Sequence, residues 1–231
     1  MSARSLIAKE LGGRAFVLQR AGMEKDRASL DEIVRTLVDV QGCHAVILYG
    51  SRARGDSDPT SDWDVVGIRK TGESQRVARD LHGAWLDAFV HPESHFATLE
   101  PDSLRFLGGR VVVDERGYAK SLIERVQAFE KKGPPPLPPD EEEVLRVWYS
   151  KMLARVARPD LEAKYRRAWL LFQALEDYFK LRNRWYRGPK ESFPWLAKND
   201  PETHGAFTRA LEPQASMEDL RVLVTRVLAT S

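Results

Sequence analysis

The sequence predicts an α+β fold: a small mixed β-sheet domain with flanking helices, followed by an α-helical bundle. Three observations carry that expectation. Between residues 45 and 114, short apolar runs bounded by Gly, Pro and Asp read as strands. Residues 133–139, Gly-Pro-Pro-Pro-Leu-Pro-Pro, hold five prolines in seven positions, a stiff extended spacer that no helix interior accepts. Beyond it the long segments follow helical spacing. The predicted division is a first domain over 1–132, a linker over 133–139 and a helical domain over 140–231.

The first domain reads in order as follows. Ser5–Leu11 forms a short helix stopped by Gly12-Gly13. Ser29-Leu30-Asp31-Glu32 has capping-box form, and Leu30, Ile33, Val34, Leu37 and Val38 share one face of a helix over 29–41 that covers the sheet. Ala45–Tyr49 is a buried strand. It breaks at Gly50-Ser51, passes through a polar loop with Gly55 and Pro59, and resumes as Asp62-Trp63-Asp64-Val65-Val66. Glu73–His82 is a helix or a long connection. Ala84–Val90, apolar on both faces, is a third and central strand. Arg110–Asp114 is another strand, and Tyr118–Lys131 a helix with Leu122, Ile123, Val126 and Phe129 inward.

In the second part, Asp140 with Glu143 caps a helix whose face is Leu145, Trp148, Tyr149, Met152, Leu153 and Val156. Pro159-Asp160 opens a longer helix with a packing stripe of Leu161, Tyr165, Ala168, Phe172, Leu175 and Phe179, ending at Tyr186-Arg187-Gly188-Pro189. Pro201–Leu211 and Ser216–Thr230 add two short helices, giving a bundle of about four.

Composition narrows the function classes. With 36 basic and 34 acidic residues, the net charge of +2 gives no global polycation, so nucleic acid is not the favoured partner. The single cysteine, Cys43, excludes an internal disulfide and any multi-cysteine zinc site, and reads as a small buried hydrophobe. No apolar run approaches the ~18 residues needed to cross a bilayer, and the first residues lack a signal-peptide core, so no membrane partner and a cytoplasmic location are expected.

Chemistry concentrates in residues 45–68. Strand alternation points Asp62 and Asp64 to one face and Trp63 to the other. Like charges at that spacing are costly without a cation to neutralise them. Gly50 admits close backbone approach, and Ser51 adds a hydroxyl to the same turn, a pattern suited to phosphate oxygens. Asp87 lies between apolar neighbours in Ala-Trp-Leu-Asp-Ala-Phe-Val. Either a cation shared with Asp62 and Asp64 satisfies it, or a nearby Arg, Trp or backbone donor does. Arg52, beside the turn, is placed to neutralise charge on a phosphate, whereas Arg54 reads as structural.

Residues 49–67, Tyr-Gly-Ser-Arg-Ala-Arg-Gly-Asp-Ser-Asp-Pro-Thr-Ser-Asp-Trp-Asp-Val-Val-Gly, resemble the signature of the nucleotidyltransferase superfamily that includes DNA polymerase beta, in its minimal form. The resemblance covers about residues 30–130. It implies that Gly50 and Ser51 hold a triphosphate, that Asp62 and Asp64 bind Mg²⁺, and that Asp87 completes the triad. Trp63 departs from the small or aliphatic residue usual at its position. The turn from Arg187 to Trp195 resembles one in two-domain antibiotic nucleotidyltransferases, which makes Lys190 a phosphate ligand by likeness.

The implied reaction is transfer of a nucleoside monophosphate, AMP from ATP or its equivalent from another NTP, to a hydroxyl of a small-molecule acceptor such as an aminoglycoside-like antibiotic. Two Mg²⁺ ions ~3.5–4 Å apart serve such in-line displacements, and oxygen-only ligands suit them. The alternatives are transfer to a protein or RNA, as in antitoxin-like enzymes, and a non-catalytic nucleotide-binding module. The basic, aromatic run Lys180–Arg187 is a candidate polyanion surface or a solvated helix face. Glu176 and Asp177 rank low as general bases. None of His44, His82, His91, His95 and His204 shows metal-ligand spacing.

Overall fold

A computed structural model describes residues 24–229; the expected helix Ser5–Leu11 lies outside them. The fold is mixed α+β, as the sequence predicts. The chain divides into two compact units between Phe129 and Glu130.

The first unit is built on a five-stranded sheet of order β3-β4-β2-β1-β5. Its strands are β1 (Ala45–Tyr49), β2 (Trp63–Arg69), β3 (Gln75–Leu81), β4 (Ala84–Pro92) and β5 (Arg110–Asp114). β2 runs parallel to β4, and the other pairings are antiparallel. Helix α1, over residues 24–35, continues into a π-helical turn at Thr36–Val40. Its Ile33 and Leu37 join Cys43, Val46, Leu48, Trp63, Val65, Leu86, Ala88 and Val90 in one core beneath the sheet. Each valine, leucine and isoleucine among them contributes about 1.5–3 kcal/mol through burial. On the opposite face Ile47, Val66 and Ile68 are fully buried. There the 3₁₀ turns Glu93–Phe96 and Pro101–Phe106 bring in Phe96 and Phe106, and Phe106 meets Tyr49 edge-on at 5.2 Å.

Residues 75–81 are a strand, where the sequence suggested a helix or a connection. The signal lay in the turn that follows. His82 (φ 57°) and Gly83 (φ 82°) form a two-residue hairpin loop with positive φ at both positions, the geometry that joins twisted antiparallel strands. β3 is an edge strand, and its charged residues, which obscure the pattern, suit an exposed edge.

The second unit holds α4 (Pro139–Val156), α5 (Leu161–Lys180), α6 (Pro189–Asn199), α7 (Pro201–Leu211) and α8 (Met217–Leu228), five helices rather than about four. The end of α3 (Tyr118–Lys132) belongs to it as well. α6 escapes sequence reading because Pro194 interrupts it, although Pro189 stands at the first turn, where proline is favoured. Asp160 caps α5, accepting from the Ala163 amide at 2.7 Å. Asp140 does not cap α4, which begins one residue earlier with no side-chain cap.

The packing stripe on α5 also differs from expectation. Leu161, Tyr165 and Phe172 are 81%, 75% and 66% exposed, and Ala168 is exposed too. The buried face is Ala163, Leu170, Ala174 and Tyr178 together with Leu175 and Phe179. Two alanines on that face allow close helix approach, and both stripes satisfy the same helical period. Among the described residues no helix is long and apolar enough to cross a membrane.

Candidate functional site

The strand pairing lays one row of residues across the first unit's sheet. Tyr49 on β1 pairs with Asp64 on β2, Asp64 with Asp87 on β4, and Asp87 with Ala78 on β3. Directly paired residues share a face and stand ~5 Å apart across neighbouring strands. Asp64 and Asp87, 23 positions apart in sequence, are therefore side by side because β2 and β4 run parallel. The next row on the same face is Ile47, Val66, Phe89 and Arg76.

Gly50 closes this row from the end of β1. It has φ 70° and opens the short helix α2 (Gly50–Arg54), whose end at Gly55 is also left-handed. A Cβ built on Gly50 would lie 2.2 Å from Asp64 Oδ2 and 3.1 Å from its Cγ. Only glycine lets the backbone pass that carboxylate, so the requirement is steric as well as conformational. Ser51, the next residue, is buried at 6% exposure.

Arg76 provides the counter-charge that the sequence did not reveal. Its Nε donates to Asp87 Oδ1 at 2.7 Å and its Nη2 to Oδ2 at 2.9 Å, a two-pronged guanidinium–carboxylate pair. The carboxylate raises the Arg76 pKa above its usual value through this hydrogen bonding and its charge. The same guanidinium lies 5.2 Å from the Phe89 ring, and Arg105 lies 5.3 Å from that ring. Burial pushes the Tyr49 phenol up to about 12. Arg76 was legible only through β3, because cross-strand reasoning needs the strand first.

Other expected site residues are placed differently. Asp62 is exposed and stands one residue before β2 begins. Arg52 is not brought to the carboxylate row. Its Nη2 and Nε donate to the Ser61 carbonyl at 2.8 and 3.1 Å, and its Nη1 to Asp26 at 3.1 Å. Its guanidinium also stacks 4.2 Å over Trp63, whose side chain points to the opposite face from Asp64. It thus clamps the 55–61 loop. Lys190, in the first turn of α6, is exposed and belongs to the second unit.

Asp177 is 1% exposed and accepts from Tyr149 at 2.9 Å and Gln173 at 3.1 Å. That makes it a core residue rather than a base for an acceptor hydroxyl. The run Lys180–Arg187 leaves the helix after Lys180. In it Arg182 donates to the carbonyls of Arg226, Val227 and Ala229 at the end of α8, and Arg184 stacks 4.8 Å from Trp195.

Two histidines share the carboxylate face of β4 or follow it. His91 and His95 stack with ring centroids 3.8 Å apart, and His91 Nδ1 lies 2.7 Å from the Ser74 hydroxyl. Burial, with His95 and Arg105 nearby, lowers the His91 pKa to about 4.

The donors on the row are all oxygen, which suits a hard cation such as Mg²⁺. The pair Asp64 and Asp87, with the Gly50 backbone against one of them, fits a cation that draws both carboxylates together. Asp62 does not join them, and among the described residues no three His, Cys, Asp or Glu side chains gather as a metal site.

No protein-family model matches this chain. No curated protein matches it either. Among solved structures, a nucleotidyltransferase-like protein from Exiguobacterium sibiricum 255-15 is similar over 86% of this chain and 73% of that one, at 10% identity and a TM-score of 0.40. A likeness that distant carries no functional weight, and the functional reading rests on the carboxylate row itself.

Proposed function

We propose that this chain is a Mg²⁺-dependent nucleotidyltransferase. It would move a nucleoside monophosphate, AMP from ATP in the first instance, to a hydroxyl of a small-molecule acceptor. The observation that carries the reading is the row in which Gly50 packs against Asp64 and Asp64 pairs with Asp87.

In this reaction the acceptor oxygen forms a bond to the α-phosphorus while the bond to the leaving pyrophosphate breaks. Asp64 and Asp87 would hold the cation, with Asp62 recruited from the segment just before β2. When bound, Mg²⁺ supplies charge neutralisation at the α-phosphoryl oxygens and the leaving group. The Gly50-Ser51 turn, free of a Cβ at its first position, would let the phosphates approach the backbone. Tyr49 stands beside Asp64 in the row, and Phe89 follows Asp87 on the same face.

The test is incubation with Mg²⁺ and each α-labelled NTP, following label into small molecules, protein and RNA. Asp64→Asn with Asp87→Asn should lower transfer by about 10³-fold or more while circular dichroism stays unchanged. Transfer at the wild-type rate by that folded double variant would overturn the assignment. Label entering protein or RNA instead of small molecules would redirect the acceptor and leave the chemistry in place.

A further inference from the structure

Arg76 occupies both oxygens of the carboxylate that the proposed reaction needs for its cation. A guanidinium and a divalent cation on the same carboxylate repel each other, so the two compete for Asp87. Arg76 is also built to let go. Its side chain is 61% exposed, it lies on the edge strand β3, and a released guanidinium regains water at little cost. Its planar fork fits phosphate oxygens as well as it fits a carboxylate.

We propose that Arg76 is a counter-charge switch. It holds Asp87 while no cation is bound, and it passes to the phosphates of the nucleotide when the carboxylates take one up. This rests on the nucleotidyltransferase reading and adds a residue and an order of events to it. Arg76 supplies the counter-charge of Asp87 where that carboxylate stands beside Asp64. When a nucleotide arrives with its cation, Asp87 exchanges one positive partner for another, and Arg76 gains a negative partner on the same face. Asp87 is charge-compensated before and after the exchange. A guanidinium that only braced the β3–β4 hairpin would make no such exchange.

The two roles separate in binding measurements that need no turnover. Mn²⁺, which electron paramagnetic resonance detects directly, is titrated into wild type, Arg76→Ala, Arg76→Gln, Asp87→Asn and Asp64→Asn without nucleotide. Binding of the α,β-methylene analogue of ATP with Mg²⁺ is then measured by calorimetry on the same proteins. Removing the exposed competitor should tighten Mn²⁺ by about two- to fivefold in both Arg76 variants. The same variants should bind the nucleotide analogue about tenfold more weakly, from the lost charged hydrogen bonds. Opposite signs in the two titrations are the signature.

Mn²⁺ affinity that is unchanged or weaker in both folded Arg76 variants, while Asp87→Asn abolishes it, overturns the switch and leaves the nucleotidyltransferase reading intact. Mn²⁺ binding that ignores Asp87→Asn and Asp64→Asn overturns both.

Discussion

Asp87 and Asp177 are both acids carried on elements with buried apolar faces, yet the two units treat them in opposite ways. Asp87 is half-buried on its sheet face, held by a charged arginine that is itself mostly exposed. Asp177 is sealed in the helical core, held by the neutral donors Tyr149 and Gln173. Burial raises the Asp177 pKa, the Tyr149 and Gln173 hydrogen bonds oppose that rise, and burial raises the Tyr149 phenol in turn. An exposed charged partner can be exchanged for another cation. A pair of buried neutral donors can only be broken. The difference lies in the partner and its solvent, and it separates a carboxylate whose partner can be exchanged from one committed to the fold.

Four changes would sharpen or break that contrast. Gly50→Ala should have the largest effect, because it drives a methyl group into Asp64 and strains the left-handed turn. It should lower transfer by about 100-fold and cost about 1–3 kcal/mol in stability, read by activity and denaturant unfolding. Tyr149→Phe removes a donor from a buried carboxylate and should cost the helical unit about 1–3 kcal/mol with transfer chemistry unaffected in kind. A loss of less than ~0.5 kcal/mol there would mean that Asp177 is not sealed as described.

Acid should weaken the first unit through His91. Its folded pKa is lowered to about 4 by burial, against 6.5 for the ordinary group. Between those values the unfolded chain binds more protons, so stability falls as pH drops from 6.5 toward 4 and levels off below. Discounted for its partial exposure, the loss is about 1 kcal/mol, and His91→Gln should flatten that slope in denaturant midpoints. The smallest effect is expected for Phe172→Ser on the exposed side of α5, within about 0.5 kcal/mol.

Much of the fold was legible because burial and period coincide there. β1 and β2 are apolar runs and appear with the burial their pattern implies, whereas β4, read as apolar on both faces, alternates between buried and half-exposed positions and leaves Trp85 62% exposed. Legibility failed where one period serves two faces. On α5, Leu161, Tyr165 and Phe172 keep helical spacing as well as Ala163, Leu170 and Ala174 do, and hydrophobicity alone chose the larger residues. At the candidate site, the two acids that the sheet sets side by side, Asp64 and Asp87, could be named from the sequence, but not their partners. Arg52 is adjacent to the turn in sequence and leaves it in space, because its fork reaches the Ser61 carbonyl. Arg76 is distant in sequence and arrives through pairing on an edge strand whose charged residues conceal it.

The hairpin that carries Arg76 and Asp87 also bears on how the site is assembled in time. The two residues are 11 positions apart and close around a two-residue turn, a local contact of the kind that forms in about 1–10 μs. Asp64 reaches Asp87 only through the parallel β2–β4 pairing, which must wait for the longer crossover through β3. On that ordering Asp87 is already neutralised when the second carboxylate docks beside it. The late step of folding then brings Asp64 beside a carboxylate that already carries its counter-charge.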